Sequence, residues 1–189
     1  MKKSERGQAM VELAIVLPLI VLLLLGVVEV SYALLDQHVI TKLTREGSNL
    51  ISRDASLQDA AVAITRMSTR PVDFNTSSRV IFSVIRQVNT TGAANFGRPI
   101  LYQRYAYGAI AGSSTLETAG TGSFGGAPDY QANNADNDTN LQITNLPAGL
   151  LINGGSLYVT EVYSRHQLIT PFDRFGVTIP NTLYSIAYF

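Results

Sequence analysis

The chain has 189 residues, enough for one domain with a real core and at most a small second unit beside it. Lysine plus arginine number 14 and aspartate plus glutamate number 14, so net charge gives no reason to expect a polyanion partner, and nucleic-acid binding is not expected. The absence of cysteine excludes disulfides, thiolate metal sites and cysteine nucleophiles, and with only His38 and His166 to offer imidazole a multi-histidine metal centre is excluded too.

The first element is a basic flank followed by an apolar rod. Met1 to Gly7 carry Lys2, Lys3 and Arg6 against Glu5, and Leu13 to Val28 contain no polar side chain. Counting Ala9, Met10 and Val11, the apolar window reaches 20 positions interrupted only by Glu12. At about 1.5 Å per residue, such a helix spans a hydrocarbon core of about 30 Å. The flanking lysines and arginine predict an N-terminus held on the cytoplasmic side. Three readings fit this pattern. A cleaved secretory signal has a passable site at Ser31-Tyr32-Ala33, although the apolar run is long for one. A plain signal anchor explains the flank and the hydrophobicity, but leaves Glu12 as an uncompensated cost of about 2.5–3.5 kcal/mol on insertion scales. The third reading gives Glu12 a partner.

In Gly7-Gln8-Ala9-Met10-Val11-Glu12, a glycine closes a basic leader and a glutamate follows five residues later, where the apolar helix begins. This resembles the cleavage site of a type IV prepilin. The resemblance implies that a prepilin peptidase cuts between Gly7 and Gln8, that residues 1–7 are a leader, and that Glu12 attracts the newly freed amine of a neighbouring subunit. Removing the leader leaves 11 bases against 13 acids. From Arg6 to about Ser48 the order continues with Val11-Glu12, Val16-Leu17-Pro18, a leucine run, Gly26 with Glu29 three on, and Arg45-Glu46-Gly47. That order resembles the TadE-like segment of minor pseudopilins from the tight-adherence (Tad) pilus and secretion systems, over roughly the first quarter of the chain. Leu43 and Thr44 depart from the small alanines usual before Arg-Glu-Gly in that family.

The resemblance implies a structural subunit and no enzyme or cofactor, seated in a bacterial inner membrane with its C-terminal part outside the cytoplasm. Its partners would be the peptidase, other pilins or pseudopilins, an assembly platform and, on the cell surface after assembly, a surface or host ligand. A length of 189 residues exceeds that of the small major pilin of such systems, which implies a minor subunit. The rival reading is an anchored binding module or adhesin that never enters a filament. Along the rod, Pro18 is read as a kink or packing point, Gly26 as a helix contact or a permissive position, and Glu29 as the outer membrane boundary.

Beyond Glu29, Tyr32, Leu35, Val39, Leu43 and Leu50 fall mostly three, four or seven apart, so an amphipathic helix is expected to continue without a break to about Arg53. His38 on it reads as a surface residue. Ser56 with Asp59 predicts a second helix start, and Pro71 closes that segment. Strand patterns follow at 79–88, 100–107, 157–166 and 182–189. The expected fold is therefore α+β: a long N-terminal helix, transmembrane and then amphipathic (8–53), packed on a small, mainly antiparallel sheet of a pilin-like domain (54–189). Between 108 and 156 lie nine of the 15 glycines, many Ser, Thr and Asn, four acids and no base, which reads as a long, flexible insertion exposed at the surface.

Other motifs carry less. Gly120-Thr121-Gly122-Ser123-Phe124-Gly125 matches a dinucleotide-binding pattern but lacks the strand-then-helix context that gives it meaning. Asp136, Asp138 and Asn140 alternate as calcium ligands do, yet Leu141 stands where the turn glycine belongs and Pro147 where the bidentate acid belongs, so they make a weak calcium candidate. No serine is flanked by glycines as in a nucleophile elbow. Glu161 and His166, five apart on an expected strand, point to opposite faces and read as core or edge polar residues.

Overall fold

The computed structural model describes residues 4–152, 154–170 and 181–189. Lys2 and Lys3 of the expected leader lie outside them.

Helix α1 covers Ser4–Ser52, 49 residues without interruption, and passes through Pro18. At 1.5 Å per residue it is about 73 Å long. Its two halves differ in what they touch. From Met10 to Leu24 almost every side chain is exposed, whichever way it points. From Glu29 on, one face disappears into the protein: Glu29, Ile40, Leu43, Thr44, Gly47, Ser48 and Ile51 are buried, at the three- and four-residue steps of a helix stripe. The helix stops at Ser52, and Asp54 follows with φ of 62°, a left-handed conformation that short polar side chains tolerate at helix ends.

Helix α2, Leu57–Met67, begins where the Ser56 hydroxyl oxygen accepts from Asp59 N at 3.1 Å, the cap expected from the sequence. It buries Leu57, Ala60, Ala61 and Ile64. Four strands make one antiparallel sheet: β1 (Ser78–Gln87), β2 (Pro99–Gly108), β3 (Ser156–Arg165) and β4 (Thr182–Tyr188), in the order β2-β1-β3-β4. The α+β pilin-like architecture read from the sequence is the one observed.

Alternation along the strands divides the core. Val80, Phe82, Val84 and Val162 face the helices and meet Ile40, Leu43, Ile51, Leu57 and Ile64. Ile85, Leu157 and Val159 face the other way, and there they meet Leu116 and Ile143. Both of those come from 108–156. This segment, expected as a flexible insertion, is instead tied to the sheet. It runs along the free edge of β2 through bonds from Ala132 N to Tyr102 O (2.8 Å), Ile143 N to Pro99 O (2.9 Å) and Arg104 N to Tyr130 O (3.3 Å). The domain therefore has a third layer, and both faces of β1 are buried. The segment hides its order because its buried anchors, Leu116, Ala132, Leu141 and Ile143, stand singly among polar residues with no helical or strand period.

Its glycines explain the dinucleotide-like pattern. A Cβ at Gly122 would lie 2.1 Å from Leu141 Cδ2, and one at Gly120 would lie 2.4 Å from Asn140 Oδ1. These two glycines let the backbone press against the short 3₁₀ turn Thr139–Leu141.

Gly47 plays the same part in α1. A Cβ there would lie 2.7 Å from Thr160 Cγ2 and 2.8 Å from Ile64 Cδ1, where α1, α2 and β3 converge. Overpacking costs about 1–3 kcal/mol, and the gain of helix propensity from Gly to Ala returns about 1 kcal/mol. Gly47→Ala is thus expected to lose about 1 kcal/mol net, and Gly47→Leu about 3 kcal/mol or more. Near-ultraviolet circular dichroism of the nine tyrosines during thermal unfolding checks this; an alanine variant more stable than the parent contradicts the close-approach role.

Candidate assembly site and polar latch

The exposed half of α1 is an apolar surface with one interruption. Met10, Val11, Leu13, Ile15, Leu17, Leu19 and Leu23 are all more than half exposed. Among them stands Glu12, also exposed, whose Oε1 accepts from Gln8 Nε2 at 3.2 Å. Gly7 has open space where a side chain would begin, so packing within the chain gives no reason for a glycine there. Helix geometry thus brings Gln8 and Glu12, four residues apart, onto one side. Pro18 is exposed within the continuous helix, and Gly26 is half-buried on the approach to Glu29.

Where the exposed half ends, the chain closes on itself. Glu29 and Asp36 are seven residues apart, two turns of one helix face. His166, just past β3, sits between them: its Nδ1 is 2.6 Å from Asp36 Oδ2 and its Nε2 3.0 Å from Glu29 Oε1. Neutral imidazole has one donor, so two carboxylate partners call for the doubly protonated ring. Burial pulls the His166 pKa down, but the bonds and charges of Asp36 and Glu29 outweigh it and hold it above the ordinary value. The other oxygen of Glu29, Oε2, accepts from Thr170 Oγ1 (2.6 Å), Thr170 N (2.9 Å) and Ile169 N (3.2 Å). Glu29, only 3% exposed, therefore fastens residues 166–170 to the helix at the base of the domain.

The sequence reading assigned Glu29 to a membrane boundary and did not join it to His166. The seven-residue step from Glu29 to Asp36 was visible; the partner, 137 residues away in the chain, was not. Of the family tripeptide, Arg45 is exposed, Glu46 half-buried and Gly47 buried, so the glycine alone reaches the core. His38 is exposed. Of the calcium-like trio Asp136, Asp138 and Asn140, Asp138 caps the 3₁₀ turn, its Oδ1 accepting from Asn140 N at 3.1 Å. Among the described residues no group of three or more His, Asp or Glu converges as a metal site.

On the far face of the sheet lies a second buried polar cluster. Glu161, with no exposed surface, accepts from Thr115 N (2.7 Å), Thr115 Oγ1 (2.8 Å) and Tyr184 Oη (2.8 Å) through Oε1, and from Ser114 Oγ through Oε2. Arg104 reaches Ser83 Oγ at 3.2 Å and Ser114 Oγ at 3.1 Å from the same region. Burial draws the Arg104 guanidinium below its ordinary value, and the Glu161 charge opposes that. This cluster joins β2, β3 and β4 to the third layer.

Residues 7–49 match a family model described as TadE-like protein. Over this first quarter the chain is similar to TadE-like proteins. The match stops inside α1, so the apolar rod, Glu12, Pro18, Gly26, Glu29 and Arg45-Glu46-Gly47 lie within it, whereas the sheet and the third layer lie beyond it. No curated protein and no solved structure matches the chain. Among the described residues, one helix is long and apolar enough to cross a membrane, with mean hydropathy of 2.9 over its most apolar window, none of which is buried in the protein.

Proposed function

We propose that this protein is a minor pilin or pseudopilin, a structural and assembly subunit of a Tad-type pilus or secretion apparatus, processed by a prepilin peptidase between Gly7 and Gln8. The observation that carries the reading is the bare first half of α1: an apolar rod that none of the described residues covers, broken only by Glu12. Such a surface needs lipid before assembly and sister helices after it. An intramembrane carboxylate needs a partner in both settings. Cleavage after Gly7 would create a cationic amine at Gln8, and pairing between this amine on one subunit and Glu12 on the next would offset the desolvation of both. In this reading the N-terminus starts in the cytoplasm, the globular domain lies outside the inner membrane, and the assembly platform moves the rod from lipid into a filament.

A specific observation also suits the rival, a permanently anchored binding module. Gln8 supplies Glu12 with a partner inside the same chain, so a lone anchor has a way to temper its acid. The mass of the polypeptide purified from its native membrane separates the two: a chain beginning at Gln8 supports the pilin, and an intact leader supports the anchor.

Two substitutions divide processing from assembly. Gly7→Ala is expected to leave the domain folded, since among the described residues none packs against that position, and to leave most of the chain uncleaved. Glu12→Ala is expected to insert and be cleaved normally, yet to reduce incorporation into filaments about tenfold or more, the equivalent of losing roughly 1.4 kcal/mol of subunit pairing. Quantitative immunoblotting of sheared pili against membranes reads this ratio; an unchanged ratio for Glu12→Ala removes the pairing role.

A further inference from the structure

The antiparallel register fixes which end of the domain points away from the apolar rod. His166, at the end of β3, meets Glu29, so the Arg165 end of β3 is the near end and Ser156 the far end. Pairing of Arg86 with Ser156 and with Ile100 places the Gln87 end of β1 and the Pro99 end of β2 at the far end as well. Strand β3 covers 10 residues from Arg165 to Ser156, so at about 3.3 Å per residue that end stands roughly 30 Å from the latch.

A groove of about 680 Å³ opens there, between the ends of β1 and β2 and residues 131–137 of the third layer. That volume suits a small ligand of a few rings. Its lining is mostly amide and hydroxyl. Asn89, Asn133 and Asn134 are exposed in it, and among the described residues the side chains of Asn89, Asn134 and Asp136 make no hydrogen bond. The Gln131 amide is already oriented, donating to the Tyr102 hydroxyl, and Asn133 Nδ2 donates to Ser123 Oγ at 2.7 Å, which leaves its carbonyl oxygen available. Arg86 lies over the Tyr102 ring, 5.3 Å from its centroid. Arg86 and Asp136 are the charged side chains of the lining and cancel.

Each feature removes a ligand class. Balanced charge gives no field for a phosphate or another anion. The amide-rich wall would be left unpaired by an apolar guest. A peptide added as a further strand needs a free edge, and the edge of β2 is taken by the chain's own bonds at Tyr102, Arg104 and Pro99. What remains is a neutral ligand dense in hydroxyls, each able to donate and accept against side-chain amides. We infer that this groove binds a neutral oligosaccharide, presented at the end of the domain farthest from the membrane. The inference rests on the groove alone and stands whether or not the chain enters a filament.

The test uses the full chain in a detergent without a sugar headgroup, with maltotriose, chitotriose and lactose as probes and inorganic phosphate and tetraalanine as controls. Saturation-transfer NMR is expected to detect at least one of the sugars and neither control. Asn134→Ala and Asp136→Ala are each expected to weaken that binding about fivefold, the worth of roughly one hydrogen bond, with the tyrosine circular dichroism unchanged. Silence from all three sugars, binding that survives both substitutions, or equal binding of phosphate or tetraalanine would overturn the assignment.

Discussion

Glu161→Ala is expected to lower the unfolding free energy by about 3–5 kcal/mol, the cost of removing one partner from a buried charged network. The substitution strands Ser114, Thr115 and Tyr184, whose donors converge on the carboxylate, and removes the Glu161 charge that favours the half-buried Arg104 guanidinium. Unpaired buried donors cost about 1–3 kcal/mol each, and partial water entry will recover some of that. Glu161→Gln keeps the shape and one accepting oxygen, but turns an NH2 group toward Ser114, so a loss of about 1–2 kcal/mol is expected. The readout is thermal unfolding of the detergent-solubilised chain, followed through Tyr163 and Tyr184, whose rings lie 4.7 Å apart beside the cluster. Protease sensitivity across 109–156 should rise in step, because Ser114 and Thr115 fasten that segment to β3. An alanine variant that unfolds at the parental temperature would show that the third layer is held by its apolar contacts and its backbone bonds to β2 without help from this cluster.

The second large effect concerns the latch. His166→Ala leaves the buried Glu29 and the partly buried Asp36 without the ring they share, and a destabilisation of about 3 kcal/mol is expected. The pH dependence has a definite sign. The folded-state pKa of His166 is raised above its unfolded value of about 6.5, so its stabilising contribution is complete below that value. It is lost as pH rises through the higher folded-state value, so the parental chain should lose stability on the alkaline side of about pH 6.5. His166→Gln, which can still donate one hydrogen bond but cannot titrate, should be less stable at pH 6 and show a flatter profile above it. A parental profile that is flat, or that rises, across this interval would mean that the ring is neutral and that one of its nitrogens faces a carboxylate without a proton between them.

Much of the architecture was legible because it rests on local periodicities. The apolar run, the stripe beyond Glu29, the Ser56 cap and the alternation in 79–88 each specify their element through neighbours a few residues away. The family resemblance added Gly7 and Glu12, which periodicity alone cannot mark. What stayed hidden was what depends on distant pairings. Nothing near Glu161 announces that Ser114 will reach it across 47 residues, and Glu29 gives no sign of His166. The bonds that tie the third layer to the sheet stayed hidden for a related reason. The layer's composition is that of loops, and loops pinned by a few scattered anchors and by backbone bonds to a sheet edge carry no period to detect. Gly47 illustrates the middle case: the tripeptide pointed to it, but only the approach of Thr160 and Ile64 says why a side chain does not fit there.

The first half of α1 shows apolar side chains all the way around, and that uniformity has a cost for any ordered array built from it. A greasy cylinder can turn about its long axis, or slide past a twin, with little change in the area it conceals, so hydrophobicity supplies cohesion without supplying an angle or a step. Rotational and axial alignment between copies must then come from whatever breaks the symmetry: a single carboxylate low on the shaft, and a bulky head clamped at a fixed azimuth near the top by an imidazole wedged between two acids.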